Sequence, residues 1–291
     1  MLARTICLIA SLLFAHAADA QGLPPVGRPA AREPQSGEDA VKVSFAVVGD
    51  AKPGATVRVA AVFDVIPDWH IYWENPGESG APTQVTIELP AGCTVATRAD
   101  GKPRLDFPTP SVFTHGETVF GYEKTVALLL EVKLPDTLPA GGLPAKVAAS
   151  WLVCKERCLM GRGEGSVDLA KPVDTRARAA QALATSLAQL PKPLPADWKA
   201  SLSEVAADRA VLVLEAPASV SADATWQFIP GDTPGVLLES GYRAEAKGRI
   251  LRVPIALSRE STLGKPLDAA GLVVFGKNAS SYSFSLPVPA K

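Results

Sequence analysis

Val41-Lys42-Val43-Ser44-Phe45-Ala46-Val47 sets apolar residues at every second position against Lys42, Ser44 and Ala46. That is the period of a strand with one face in a core. Pro53-Gly54 marks a turn, after which Val57, Val59, Ala61, Phe63 and Val65 repeat the alternation against Thr56, Arg58 and Asp64. Further strands are expected at Gln84–Leu89, Thr118–Tyr122, Thr125–Leu134, Ala145–Cys154 and Gly165–Leu169, separated by turn-forming pieces such as Asn75-Pro76-Gly77 and Leu89-Pro90-Ala91-Gly92. Short strands between frequent turns predict an immunoglobulin-like sandwich.

Upstream, Arg4, the apolar stretch Ile6–Phe14 and Ala18-Asp19-Ala20 have the three parts of an export signal, so residues 1–20 are expected to be removed as a signal peptide. Residues 21–40, with several prolines and charges and no apolar period, are expected to form a disordered leader. No later stretch approaches the roughly 18 apolar residues of a membrane span. The best, Val126 to Val132, is interrupted by Glu131 and followed by Lys133, so no direct membrane insertion is expected.

Downstream, DTRARAAQALATSLAQL (174–190) changes period and composition. It is rich in Ala, Leu, Gln and Arg, with Asp174 placed to cap a first turn and Pro191, Pro193 and Pro195 beyond its end. A helical linker over 173–195 is expected. Strand patterning returns at Val211–Leu214, Thr225–Ile229, Ile250–Leu257, Leu272–Phe275 and Tyr282–Leu286. This half contains neither cysteine nor histidine and is expected to support the first or to dock a partner. The fold expected is therefore all-β: two immunoglobulin-like β-sandwich domains, 41–172 and 196–291, joined by a short helix. With 29 basic residues against 30 acidic ones and no basic cluster, the composition excludes nucleic acid as the main partner.

Of the four cysteines, Cys7 lies in the signal segment, leaving Cys93, Cys154 and Cys158. Cys93 follows a Pro-Ala-Gly turn and is expected to be a buried free thiol. Cys154 and Cys158 flank Lys155-Glu156-Arg157. Four residues along a straight strand span about 13 Å, more than a disulfide's Cα separation allows. A tight hairpin or one helical turn between the thiols permits a bridge. A ring that small constrains the unfolded chain little, whereas neighbouring cations favour the thiolate that attacks disulfides. Redox exchange is the expected role, ahead of a structural bridge. The alternative is a copper module, with both thiolates and Met160 or His115 as ligands for Cu(I). A zinc site lacks its four ligands, and neither a resident metal nor another cofactor is expected.

Three blocks resemble the DsbD N-terminal domain family, particularly its ScsB-like branch. Trp69-His70-Ile71-Tyr72-Trp73-Glu74-Asn75-Pro76-Gly77-Glu78-Ser79-Gly80-Ala81-Pro82-Thr83 is similar to the first motif. Phe107-Pro108-Thr109-Pro110 with Phe120-Gly121-Tyr122-Glu123 is similar to the second, and Ser150-Trp151-Leu152-Val153-Cys154 with Cys158 to the third. Over Val41 to Leu169 the resemblance implies a periplasmic immunoglobulin-like domain that relays reducing equivalents through Cys154 and Cys158. It implies thioredoxin-like or DsbD-type redox proteins as partners and a cap loop, near Ser111–Glu117, that shields the pair. Phe113, His115, Tyr72, Trp73 and Tyr122 are the expected cap or shielding residues. On their own chemistry, Trp69, Tyr72 and Trp73 also fit a core, and His115 fits either a solvated loop or a proton acceptor. The sequence carries neither the family's membrane-embedded domain nor its thioredoxin-like domain, so electrons are expected from a separately encoded membrane transporter.

Overall fold

The computed structural model describes residues 33–98, 101–173, 178–238, 244–258, 267–276 and 280–289. The expected signal peptide, residues 21–32 of the leader and the cap at Asp174 lie outside these. The last residues of the expected disordered leader are folded. Gly37–Ala40 (α1) is a helical turn in which Ser36 and Asp39 form a reciprocal capping box.

The first sandwich holds β1 (Val41–Val48), β2 (Thr56–Val65), β3 (His70–Gly77), β4 (Gln84–Glu88), β5 (Thr94–Val95), β6 (Leu105–Asp106), β7 (Ser111–His115), β8 (Glu117–Tyr122), β9 (Thr125–Lys133), β10 (Pro144–Cys154) and β11 (Cys158–Asp168). One sheet runs β1-β2-β9-β5, with β6 also on β9; the other runs β11-β10-β3-β8-β7, with β4 also on β10. Inward residues of both sheets, including Phe63, Ile71, Trp73, Leu128, Leu130, Trp151 and Val153, form one buried cluster.

The β2–β9 pair is buried on its outer face as well. Ala60, Val62, Ala127 and Leu129 meet Leu183 of α2 (Arg178–Ala188), and Ala127 N–H donates to Ser186 Oγ at 2.9 Å. The expected linker is thus a packed element of the first sandwich. This explains why β2 and β9 are apolar beyond simple alternation: both of their faces leave water.

β11 extends further toward its N-terminus than Gly165–Leu169. Gly161, Gly163 and Gly165 share its inner face, where a Cβ would overlap Trp151, Val43 and Phe45 respectively. Glycine there weakens a strand signal but lets β1 and the indole approach the backbone.

The second sandwich comprises β12 (Lys192–Pro193), β13 (Lys199–Ser203), β14 (Arg209–Glu215), β15 (Trp226–Pro230), β16 (Val236–Leu238), β17 (Glu245–Lys247), β18 (Ile250–Leu257), β19 (Leu267–Phe275) and β20 (Ser280–Val288). Its sheets run β12-β20-β19-β15 and β13-β14-β18-β16, with β17 also on β18. Its own core includes Trp198, Leu212, Leu214, Leu251 and Val253, while Ile229 and Leu272 belong to the buried cluster of the first sandwich. Among the described residues the chain is all-β apart from α1 and α2, built as two immunoglobulin-like sandwiches.

At the far end of the β10–β11 hairpin, Asp168 accepts from the backbone N–H groups of Leu143 (2.8 Å) and Ala170 (3.1 Å) and pairs with Lys171. The Leu143 bond is the main cause holding its carboxyl below the usual range. The stabilisation from a depressed carboxylate is present above the unfolded-state value, about 3.9, and is lost as pH falls through the lower folded value. Asp168→Asn should therefore flatten the decline of Tm between about pH 5 and pH 3, measured by thermal melts; an unchanged slope rules this contribution out.

Candidate functional site

Cys154 and Cys158 form a disulfide with Cα atoms 4.2 Å apart. They are directly opposed, closing the ladder that pairs β10 with β11 from Pro144↔Asp168 onward. Lys155, Glu156 and Arg157 make the exposed hairpin loop, with Lys155 N–H bonded to Arg157 O at 3.1 Å. The hairpin, not the helical turn, is the geometry that brings the thiols together.

Period two decides which face the bridge occupies. Trp151 and Val153 point into the core, so Leu152 and Cys154 point outward. Cys154 is opposite His70 on β3, Tyr72 opposite Gly121 on β8, and Val119 opposite Phe113 on β7. Tyr72, Val119 and Cys154 accordingly form a small buried cluster on the outer face, joined by Phe113 and Leu152. Phe113 stacks on the His70 ring (centroids 4.8 Å apart), and His70 meets Tyr72 edge to face at 5.1 Å. Cys154 is 3% exposed, whereas Cys158 is exposed. One sulfur-bearing residue is covered and the other is open.

The covering element is a β7–β8 hairpin rather than a loop. Its first strand, β7, is only five residues long and lies between Pro110 and Gly116. Of the expected shielding residues, Tyr72 shares the outer-face cluster of Cys154 and Phe113 packs against that cluster. Trp73 and Tyr122 do not: Trp73 packs edge to face on Phe120 in the core, and the buried Tyr122 donates its hydroxyl to Pro108 O at 2.6 Å. Burial pushes the Tyr122 phenol well above its ordinary value and, to a lesser extent, raises that of Tyr72. Alternation separates the adjacent Tyr72 and Trp73. The side chain of His115 lies outside the described residues. His70, Val119 and Leu152 were not expected at the site. Spacing was the available signal for His70, which lies two residues before Tyr72 and so on the same face.

The flanking cations are both engaged. Lys155 Nζ pairs with Asp68 at 3.3 Å, and Arg157 donates to the Pro34 carbonyl. Asp68 offsets the lysine charge that was expected to favour thiolate, although so exposed a pair is weak. Cys93 is a free, half-buried thiol whose pKa is raised by burial, and it packs against the first core rather than near the bridge. Among the described residues, no group of three or more His, Cys, Asp or Glu is placed to hold a metal ion.

The first motif does more than turn the chain. Its pairing with β8 is interrupted after Tyr72 and resumes at Gly77 opposite Val119, and the chain then turns back so that Thr83 N–H bonds Tyr72 O at 3.3 Å. Within the excursion, Gly80 has φ +100 and presses its backbone on the Tyr72 ring, where a Cβ would overlap it. Asn75 Oδ1 accepts from Gly77 N–H at 3.0 Å, and Asn75 Nδ2 donates to the carbonyls of Pro230 (3.0 Å) and Gly231 (3.2 Å) in the second sandwich. Next to it, Glu74 pairs with Arg98 at 2.8 Å; its pKa is raised by burial, with Asp232 adding and Arg98 opposing.

The fold and the outward bridge define a class: an immunoglobulin-like sandwich with a short-range disulfide half covered by a hairpin. The profile of the N-terminal domain of the thiol:disulfide interchange protein DsbD matches residues 33–167, and this part of the chain belongs to that family. Among solved structures, the chain is similar to the N-terminal periplasmic domain of ScsB from Proteus mirabilis, with a TM-score of 0.60 and 18% identity over 86% of this chain and 93% of that one. The likeness spans both sandwiches and is one of fold. A match to the Enterococcus faecalis MSCRAMM ACE, 11% identical over 87% of this chain and 95% of that one, has a TM-score of 0.20 and carries no argument. No curated protein matches the chain.

Proposed function

We propose that this protein is a periplasmic thiol–disulfide exchange protein that relays reducing equivalents through Cys154 and Cys158. The observation carrying this reading is the asymmetry of the bridge: Cys158 exposed at a hairpin end, Cys154 buried under Phe113 and Tyr72. A structural staple has little to do here. Eleven opposed pairs from Pro144↔Asp168 to Cys154↔Cys158 already fix the hairpin, and the bridge closes only a three-residue loop.

In the accepting direction, a thiolate of a thioredoxin-like partner attacks Cys158 Sγ. The Cys154–Cys158 bond breaks, a mixed disulfide forms, and Cys154 leaves with the electron pair and takes a proton. The partner's second thiolate then attacks its own sulfur in the mixed disulfide, and Cys158 leaves as thiolate and takes the second proton. The partner ends as a disulfide and this protein as a dithiol, two electrons and two protons transferred. Delivery reverses the sequence: Cys158 attacks the disulfide of a redox or isomerase protein and Cys154 resolves. The partner must displace Phe113 to let Cys154 depart, so the cap confines exchange to proteins that engage it. A separately encoded membrane electron transporter would supply the reductant.

Equilibration of the oxidised protein in glutathione or dithiothreitol buffers, with thiol trapping, should give a reversible two-electron couple between about −120 and −270 mV. A potential below about −300 mV marks a structural bridge and removes the relay.

Copper handling is the second reading, favoured by one observation. Met160 is 69% exposed and opposes Leu152, so it shares the outer face with Cys158. Reduced protein that retains one equivalent of Cu(I) against a competing chelator, and loses it in Met160→Leu, would establish it.

A further inference from the structure

We infer that the second sandwich is a positioning device for the cap hairpin: it holds both cap strands and so sets how readily the Cys154–Cys158 bridge is uncovered. This rests on the exchange reading above and gives a role to residues 196–291, which contain no cysteine or histidine of their own.

The first hold is at the root of β7. Thr109, two residues before that strand, donates its backbone N–H and its Oγ1 to Gln189 O, both at 2.9 Å, beyond the C-terminal end of α2. The same hydroxyl meets Ser281 Oγ, a buried side chain of β20. Thr109 belongs to the Phe107-Pro108-Thr109-Pro110 block, and its neighbour Pro108 accepts from Tyr122 at the end of β8. The second hold is on β8. Asn75 reaches Pro230 O and Gly231 O with its amide nitrogen while its oxygen fixes Gly77 N–H. Gly77 is opposite Val119, and Glu78 clasps Thr118 from both sides: Glu78 N–H donates to Thr118 O at 2.9 Å, and Thr118 N–H donates to the Glu78 carboxylate. Val119 and Phe113 are the cap residues that bury Cys154. Each cap strand is thus one short chain of hydrogen bonds away from the second sandwich.

Ordinary domain glue would give the same contacts without touching reactivity. What separates the two is the rate at which the bridge reacts under conditions where the whole protein is folded. Exchange through a partly opened cap follows the opening equilibrium, which loses one or two neutral hydrogen bonds' worth of closure in the variants.

The full chain, oxidised, is reduced by dithiothreitol well below its Tm and the thiols are trapped over time. Asn75→Ala and Thr109→Val should be reduced about three- to tenfold faster than the parent, with Thr109→Ser within about twofold of it. Amide exchange in β7 and β8 should accelerate in the same two variants and not in Thr109→Ser. Ser281→Ala removes one hydroxyl from the second sandwich alone, and should accelerate reduction at least about twofold; it decides the matter if Thr109→Val does not fold. Phe113→Ala is the control for the cap itself. If Phe113→Ala speeds reduction while Asn75→Ala, Thr109→Val and Ser281→Ala leave it unchanged, the second sandwich does not position the cap and the inference falls. If Phe113→Ala is also without effect, the hairpin is no gate, and the inference falls with that part of the exchange reading; the potential of the couple still tests the relay separately.

Discussion

Cys154→Ala should turn the reduced protein into a trap: it attacks disulfides at nearly the parent rate but cannot release them. Cys158 is exposed at the hairpin end, next in sequence to Arg157, which donates to the Pro34 carbonyl. Removing Cys154 leaves that thiol in place and takes away the only sulfur opposed to it in the ladder. The mixed disulfide with an aromatic disulfide reagent or an oxidised thioredoxin-like protein should then persist on a non-reducing gel. Cys158→Ala should behave oppositely. Its remaining thiol is 3% exposed under Phe113 and Tyr72, so its reaction with the same reagent should be slower by roughly a hundredfold. Turnover should be undetectable in both. Equal reactivity of the two single-cysteine forms, or faster reaction through Cys154, would reverse the assignment of attacking and resolving sulfurs.

The parts of this architecture that were legible in the sequence are those set by local periodicity. β1 and β2 alternate visibly, β14, β15, β18, β19 and β20 of the second half fall where strand patterning returns, and Cys154 with Cys158 is a short-range pair whose reversal the intervening polar residues announce. What escaped has three physical causes. Gly161, Gly163 and Gly165 carry no apolar side chain, so most of β11 lacks a pattern although its face is packed by Trp151, Val43 and Phe45. β7 has only five residues and is paired on one side, so it resembles the loop that a cap was expected to be. Asn75 and Thr109 bond partners more than 150 residues away, at Pro230 and Ser281, and a local reading of Asn-Pro-Gly or Pro-Thr-Pro shows only a turn. Packing on the outer face of β2 and β9 was a milder omission. Their apolar residues exceed what one buried face needs, and α2 supplies the second cover. Among the shielding residues, Tyr72 and Trp73 show the limit of a motif without a register: they are neighbours in sequence, yet one covers the bridge and the other supports the core.

The largest expected loss of stability follows from the glycine face of β11. Trp151 lies opposite Gly161 in the ladder, is 3% exposed, meets Phe63 edge to face at 5.6 Å and points its indole N–H toward Gly37 O at 3.4 Å. It therefore joins the hairpin to the opposing sheet and to the α1 turn, three residues from Cys154. Trp151→Ala should cost about 3–5 kcal/mol, the range for emptying a large aromatic site in a core. Gly161→Ala should cost about 1–3 kcal/mol in the parent, because the new Cβ overlaps the indole and either the ring or the strand must move. The two effects should not add. With the indole gone, a methyl at 161 meets space that it can fill, so Gly161→Ala should cost less than about 0.5 kcal/mol in the Trp151→Ala background, or restore some stability. Denaturant midpoints of the four proteins measure this coupling. If the losses add to within about 0.5 kcal/mol, the glycine is there for backbone reasons and not to admit the indole. Coupling of the expected sign would mean that the inner-face residues of the hairpin three positions from the bridge tolerate change only in concert, which is what a rigid platform for a reactive sulfur requires.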